Sequence, residues 1–162
     1  MLGPVAARRA PAFCLSTSLR KPQLQENFMN NTGFALIGLA SWAIIQSFIL
    51  VGVRFGAVQA GHALNTFDPA GKDMQGFGYR VTRAHGNTLE NLAILASFLL
   101  YAIATSQTAV TEGLACWLLY ARIGQSVSHM ISTSVPFVLL RANLFGAQLI
   151  ICLYWAWQFW NA

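Results

Sequence analysis

The chain has 162 residues, 56% of them hydrophobic and only 9% charged, with a formal net charge of +5 and a mean hydropathy of +0.51. Soluble domains carry about 25% charged residues, so this composition excludes a free globular domain with a charged coat. The Lys and Arg residues are scattered and several fall inside apolar stretches, which argues against nucleic acid as the partner. Cys14, Cys116 and Cys152 have no metal-ligand spacing, and their odd number fits no disulfide framework. No metal site is expected, and Cys116 and Cys152 read as small apolar residues.

Residues 1–27 form a basic extension. Arg8, Arg9, Arg20 and Lys21 occur there with no acid before Glu26, beside Ser16, Thr17 and Ser18. Segments rich in Arg and Ser and poor in acids resemble organelle transit peptides. That reading favours a mitochondrial membrane, with the endoplasmic reticulum or another endomembrane as the alternative. A disordered basic tail is the other reading, because Pro4, Pro11 and Pro22 interrupt any amphipathic helix.

Residues 28–162 form the membrane domain. A helix needs about 20 mostly apolar residues to cross the hydrocarbon core. The first such run covers 33–53, with Gln46 its only strongly polar member, and Arg54 follows directly. A Gly-rich polar connection over roughly 57–78 carries the turn signal Asp68-Pro69-Ala70-Gly71. The second span is expected over 91–111 and the third near 108–131, with Arg122 and His129 inside its length. The fourth runs from about 138 to 160. It ends in Tyr154, Trp155, Trp157, Phe159 and Trp160, rings that favour the membrane–water boundary. Short 2–3 and 3–4 links imply antiparallel neighbours. The expected fold is therefore an all-α membrane protein, a four-transmembrane-helix bundle. Arg54, Lys72, Arg80, Arg83 and Arg141 gather on the side of the 1–2 and 3–4 links, while the 2–3 link holds only Glu112. The basic extension would fall on the other side, a conflict that its removal or a targeting role resolves.

Polar residues inside these spans are not random. At 100° per residue, Arg80, Arg83, Asn87, Glu90 and Asn91 share one stripe leading into the second span, and His85 falls off it. Such a stripe is costly against lipid, so it should face the bundle interior, another subunit or a water-filled cavity. Arg83 and Glu90 are spaced to pair around an amide. The third span places Arg122, Gln125, Ser126, His129 and Thr133 on one face, and Arg141 opens the fourth with Gln148 two turns on. Three cationic, amide-decorated faces suit a small anion with several hydrogen-bonding groups. Ser126, Ser132 and Thr133 read more simply as interhelical hydrogen bonding, and His85 as structural or interfacial. His129 fits either a satisfied bundle histidine or a ligand contact.

The run Arg83-Ala84-His85-Gly86-Asn87-Thr88-Leu89-Glu90 resembles the Arg-Ala-His-x-Asn-x-x-Glu signature of the MAPEG superfamily, membrane-associated proteins in eicosanoid and glutathione metabolism. The resemblance extends over residues 33–160. It implies a homotrimer of four-helix protomers with glutathione bound as co-substrate between neighbouring subunits. Position by position it implies Asn87 and Glu90 as tripeptide-binding residues and Arg83 as the motif arginine. Arg54 would meet a glutathione carboxylate, and Arg122 would be the helix-3 arginine. Arg141 would be the catalytic residue that stabilises the thiolate. His129 joins this cofactor-binding set as a candidate.

The departures are specific. Gly86 stands where prostaglandin E synthase and related members carry a basic residue, and Gln125 and His129 replace a His and a Tyr. Phe145 replaces a tyrosine, and Ala142 follows Arg141 where a serine is usual. These changes remove hydrogen-bond donors near the sulfur and count against eicosanoid chemistry. Two functions follow from the resemblance. One is a membrane-embedded glutathione-dependent transferase or peroxidase acting on apolar electrophiles or lipid hydroperoxides. The alternative is a non-catalytic structural subunit of a larger organellar membrane complex, or a lipid-binding scaffold.

Overall fold

Asn30 starts the first helix: its side chain accepts a hydrogen bond from the Gly33 amide at 2.8 Å, using one of the donors that a helix start leaves free. The computed structural model describes residues 30–161. Within that range the elements are α1 (Asn31–Gln59), α2 (Phe77–Ala104), the single turn α3 (Thr108–Thr111), α4 (Ala115–Ile131) and α5 (Val135–Trp160). The basic extension over 1–27 and Cys14 lie outside the described residues.

The four long helices form one bundle, with α1 packed on α2 and α4, α2 on α4, and α5 along α4. Helices α1, α2 and α5 are each long and apolar enough to cross a membrane. Helix α4 has 17 residues, which at about 1.5 Å per residue rises roughly 25 Å. Ile44, Phe48, Ile94, Leu139, Ile150 and Leu153 point outward and are exposed in the single chain, as lipid-facing side chains must be. The chain is an integral membrane protein.

Two spans differ from expectation. Helix α2 begins at Phe77 and ends at Ala104, so the Arg83–Glu90 motif lies on the helix and does not merely lead into it. Ser106, at φ 58°, reverses the chain there, while Thr105 closes the last turn through its amide and hydroxyl to the Tyr101 carbonyl, at 2.9 and 2.8 Å. The third span is not continuous over 108–131 but breaks between α3 and α4 around Glu112. The reason is a second task for that residue: its carboxylate accepts from the Asn31 amide at 2.9 Å and the Thr32 hydroxyl at 3.4 Å. A carboxylate is favoured at a helix N-terminus by the helix dipole. The buried hydroxyls of Thr32 and Thr111 meet beside it at 2.7 Å.

The interior divides along the bundle axis. One half is apolar, built from Ala35, Leu39, Leu95, Leu99, Leu118 and Cys152 with Trp155 at its centre. Trp155 is fully buried, so it belongs to this core and not to the expected boundary belt; Trp157 and Trp160 do remain exposed. Gly38 permits the close approach of α1 to α4, since a Cβ there would come 2.6 Å from Leu119 Cδ2. The other half is polar. Gln46, Thr88, Arg122, Gln125, Ser126 and Gln148 are all buried. Thr88 ties three helices together, its hydroxyl within 3.1 Å of the Gln46 amide and 3.2 Å from Ser126 Oγ. Ser126 therefore has the interhelical role expected of it.

Candidate functional site

Each of three helices repeats its polar residues at a spacing of seven. Arg83 and Glu90 lie on α2, Arg122 and His129 on α4, and Arg141 and Gln148 on α5. Seven residues are nearly two turns, so both members of a pair face the same way, about 10 Å apart along the axis. Because the helices are antiparallel, these pairs build two levels.

The outer level is a hollow of about 210 Å³ lined by Tyr79, Arg80, Arg83, His129, Thr133 and Arg141. Arg80 Nε donates to the Met130 carbonyl at 2.8 Å, pinning α2 to the last turn of α4. Arg141 Nη1 stands 3.1 Å from His129 Nδ1. Sequence reasoning placed Ser132 and Thr133 as interhelical glue. Instead, Ser132 Oγ accepts from the Ser134 amide at 3.1 Å within the α4–α5 turn, and Thr133 lines the hollow.

The inner level centres on Arg122, which is 1% exposed. Its Nη1 donates to Gln125 Oε1 at 2.9 Å, and its Nη2 donates to the Asn87 carbonyl. Gln125 Nε2 donates to Asn87 Oδ1 at 3.3 Å, and Gln148 Nε2 to Gln125 Oε1 at 2.9 Å. The amides thus link α2, α4 and α5, yet none supplies a negative charge. Arg122 Nε has no partner, and neither has Gln148 Oε1. Glu90 is exposed in the single chain and makes no ion-pair contact with Arg122. The only basic–acidic side-chain contact within 4 Å among the described residues is His62 Nε2 to Asp73 Oδ2, at 3.5 Å in the α1–α2 link.

The Arg83–Glu90 pairing suggested by the spacing is therefore not formed. Arg83 belongs to the outer level and Glu90 to the inner, two turns apart on one exposed stripe. Arg54 is also not brought to this site. It lines a second hollow, of about 320 Å³, with Phe67, Thr82 and His85, its guanidinium carbon 5.3 Å from the Phe67 ring centre. That hollow lies roughly 100° around α2 from the Arg83 stripe. His85, read from sequence as structural, faces it instead. Arg54 Nε and His85 Nδ1 are both buried without partners.

Gln125 and Gln148 were read as members of the polar faces but not as ligand-binding residues, although their positions one turn from Arg122 and two turns from Arg141 were a signal for both. Tyr79 gave no signal beyond its position one residue before the stripe. The chemistry of the whole assembly is that of an anion-binding slot: guanidinium, imidazole, phenol, hydroxyl and amide groups on two levels, with the carboxylate of Glu90 at its edge. The family model of the MAPEG family matches residues 32–160. No curated protein and no solved structure matches the chain.

Proposed function

This chain belongs to the MAPEG family, and on that premise we propose that it is a membrane-embedded, glutathione-dependent transferase or peroxidase for apolar electrophiles or lipid hydroperoxides. One observation carries the reading. Arg122 is buried with only neutral acceptors and one guanidinium nitrogen, Nε, that has no partner. A buried cation is costly unless a charge of opposite sign meets it. The chain keeps a positive site that an anionic ligand would complete.

Length supports a short peptide. Three extended residues span at most about 10–11 Å, which matches the separation of the two levels. Asn87, Glu90 and Arg122 would hold the polar groups of the tripeptide, and Arg83 a carboxylate. Arg141, beside His129 in the outer hollow, would face the sulfur. A thiol with pKa near ~8.5 is mostly protonated at neutral pH, and its thiolate is the nucleophile. A guanidinium favours that anion and cannot itself lose its proton. Bound in this way, glutathione would supply the nucleophile, and the lipid-facing side would deliver the apolar partner.

We propose further that the working unit is a homotrimer. At about 210 Å³ the outer hollow falls below the ~300–1,000 Å³ of typical ligand pockets, and Arg54 stands outside it. A second copy would bring Arg54 to the slot. The expected result is a detergent-solubilised particle of three chains that binds glutathione. Glu90→Gln and Asn87→Ala should each weaken that binding roughly tenfold or more, the loss typical of one hydrogen bond to a charged group. A monomeric particle, or full affinity in both variants, contradicts the reading.

The compartment proposed is a mitochondrial membrane, on the strength of the basic, acid-poor residues 1–27. Fused to a soluble reporter, they should carry it to mitochondria; a reporter diffuse in the cytosol refutes the targeting role.

A further inference from the structure

We propose that His129 is a positioning residue: its neutral ring, fixed in the tautomer with hydrogen on Nε2, holds the Arg141 guanidinium at the sulfur and releases it when the ring gains a second proton. The inference rests on the reading of Arg141 as the group that meets the thiolate.

The 3.1 Å contact between Arg141 Nη1 and His129 Nδ1 has only one chemical form. A guanidinium has five N–H donors and no acceptor. Nδ1 must therefore present its lone pair, which leaves the hydrogen on Nε2. This is the only hydrogen bond that the Arg141 side chain makes among the described residues. A long side chain held at one point takes its rotamer from that point. The helix end that carries the ring is held from both sides: Arg80 fixes the end of α4 through the Met130 carbonyl, and Ser132 Oγ fixes the short turn into α5 through the Ser134 amide.

The same contact makes the hold sensitive to protonation. Around the ring stand Tyr79, Arg80 and Arg83 from α2 and Arg141 from α5, all lining the hollow. Arg122 stands seven residues back on α4 itself, about 10 Å along the axis. No carboxylate lines that hollow. A second proton removes the Nδ1 lone pair and adds a cation among guanidinium groups, so both effects expel Arg141.

Two substitutions separate positioning from packing. His129→Asn keeps an acceptor oxygen where Nδ1 stands, whereas His129→Phe keeps the ring volume without a lone pair. In the full-length protein with glutathione bound, His129→Phe should lower the thiolate population roughly tenfold or more at neutral pH, as Arg141→Leu does, by loss of one hydrogen bond to a charged group. Combining the two should add nothing further, because they act as a unit. His129→Asn should restore most of the signal. A second readout needs no glutathione: nitrogen-15 spectra of the imidazole, assigned by their loss in His129→Asn, should show Nε2 protonated and Nδ1 bare. Nδ1 protonated at neutral pH overturns the proposal. So does wild-type thiolate in His129→Phe, or an Asn variant as impaired as the Phe variant. If wild type holds no thiolate at all, the glutathione reading fails, and the ring spectrum alone decides the hold on Arg141.

Discussion

Replacing Arg122 by leucine is expected to weaken glutathione binding roughly tenfold to a hundredfold, the loss of one charge-assisted hydrogen bond at ~1.5–3 kcal/mol. The same change should shift thermal stability far less than the removal of a buried, well-paired charge, which typically costs about 3–5 kcal/mol. The reason lies in its partners. Arg122 contributes bonds to Gln125 and to the Asn87 carbonyl, but it also imposes the burial of a charge that no carboxylate of the described residues contacts. Leucine loses the first and relieves the second, so the two offset in the free protein. With an anion bound they no longer offset, because the charge then has its partner. Arg122→Lys keeps the charge but not the planar fork that reaches two acceptors at once, and should fall between. Calorimetric titration with glutathione and thermal unfolding in detergent check both halves. A large loss of stability with unchanged affinity would make Arg122 a structural strut and favour the non-catalytic subunit.

Arg141→Leu is expected to leave glutathione affinity within about threefold while slowing conjugation of an apolar electrophile roughly tenfold to a hundredfold at neutral pH. Charge on sulfur exists only after the thiol ionises, so a guanidinium aimed there acts on that state and not on the bound thiol. The loss of ~1.5–3 kcal/mol corresponds to one or two units in the ionisation of the bound thiol at ~1.4 kcal/mol per unit. The sign follows. The wild-type advantage is greatest where free glutathione is still protonated, and it shrinks as pH rises through ~8.5, where the thiol ionises without help. Rates measured against pH for both proteins check this. A deficit of equal size at every pH would assign Arg141 to packing or binding.

Much of this was legible in the sequence, and the reasons are particular. Apolar runs of about 20 residues carry their own meaning in lipid, so the existence and core of α1 and α5 were readable, as was the polar stripe of α2, although α1 runs on to Gln59 and α5 begins at Val135. The seven-residue spacing of Arg122 and His129, and of Arg141 and Gln148, already placed each pair on one face. What periodicity does not encode is the use of a side chain by a distant element. Glu112, at the break between α3 and α4, caps α1, 81 residues away in sequence. His85 and Arg54 share a hollow only because α1 and α2 pack antiparallel. The contact of His129 with Arg141 depends on the α4–α5 turn, and no one-dimensional pattern gives that distance.

The central claim is that the slot binds glutathione and favours its thiolate. Its most direct test is the ultraviolet absorbance of the thiolate, followed as pH is raised in wild-type protein saturated with glutathione. The account predicts that bound thiolate appears one to two pH units below the ~8.5 of an ordinary thiol, and that Arg141→Leu returns the transition towards that value. A wild-type curve that coincides with free glutathione, unchanged by Arg141→Leu, would contradict it.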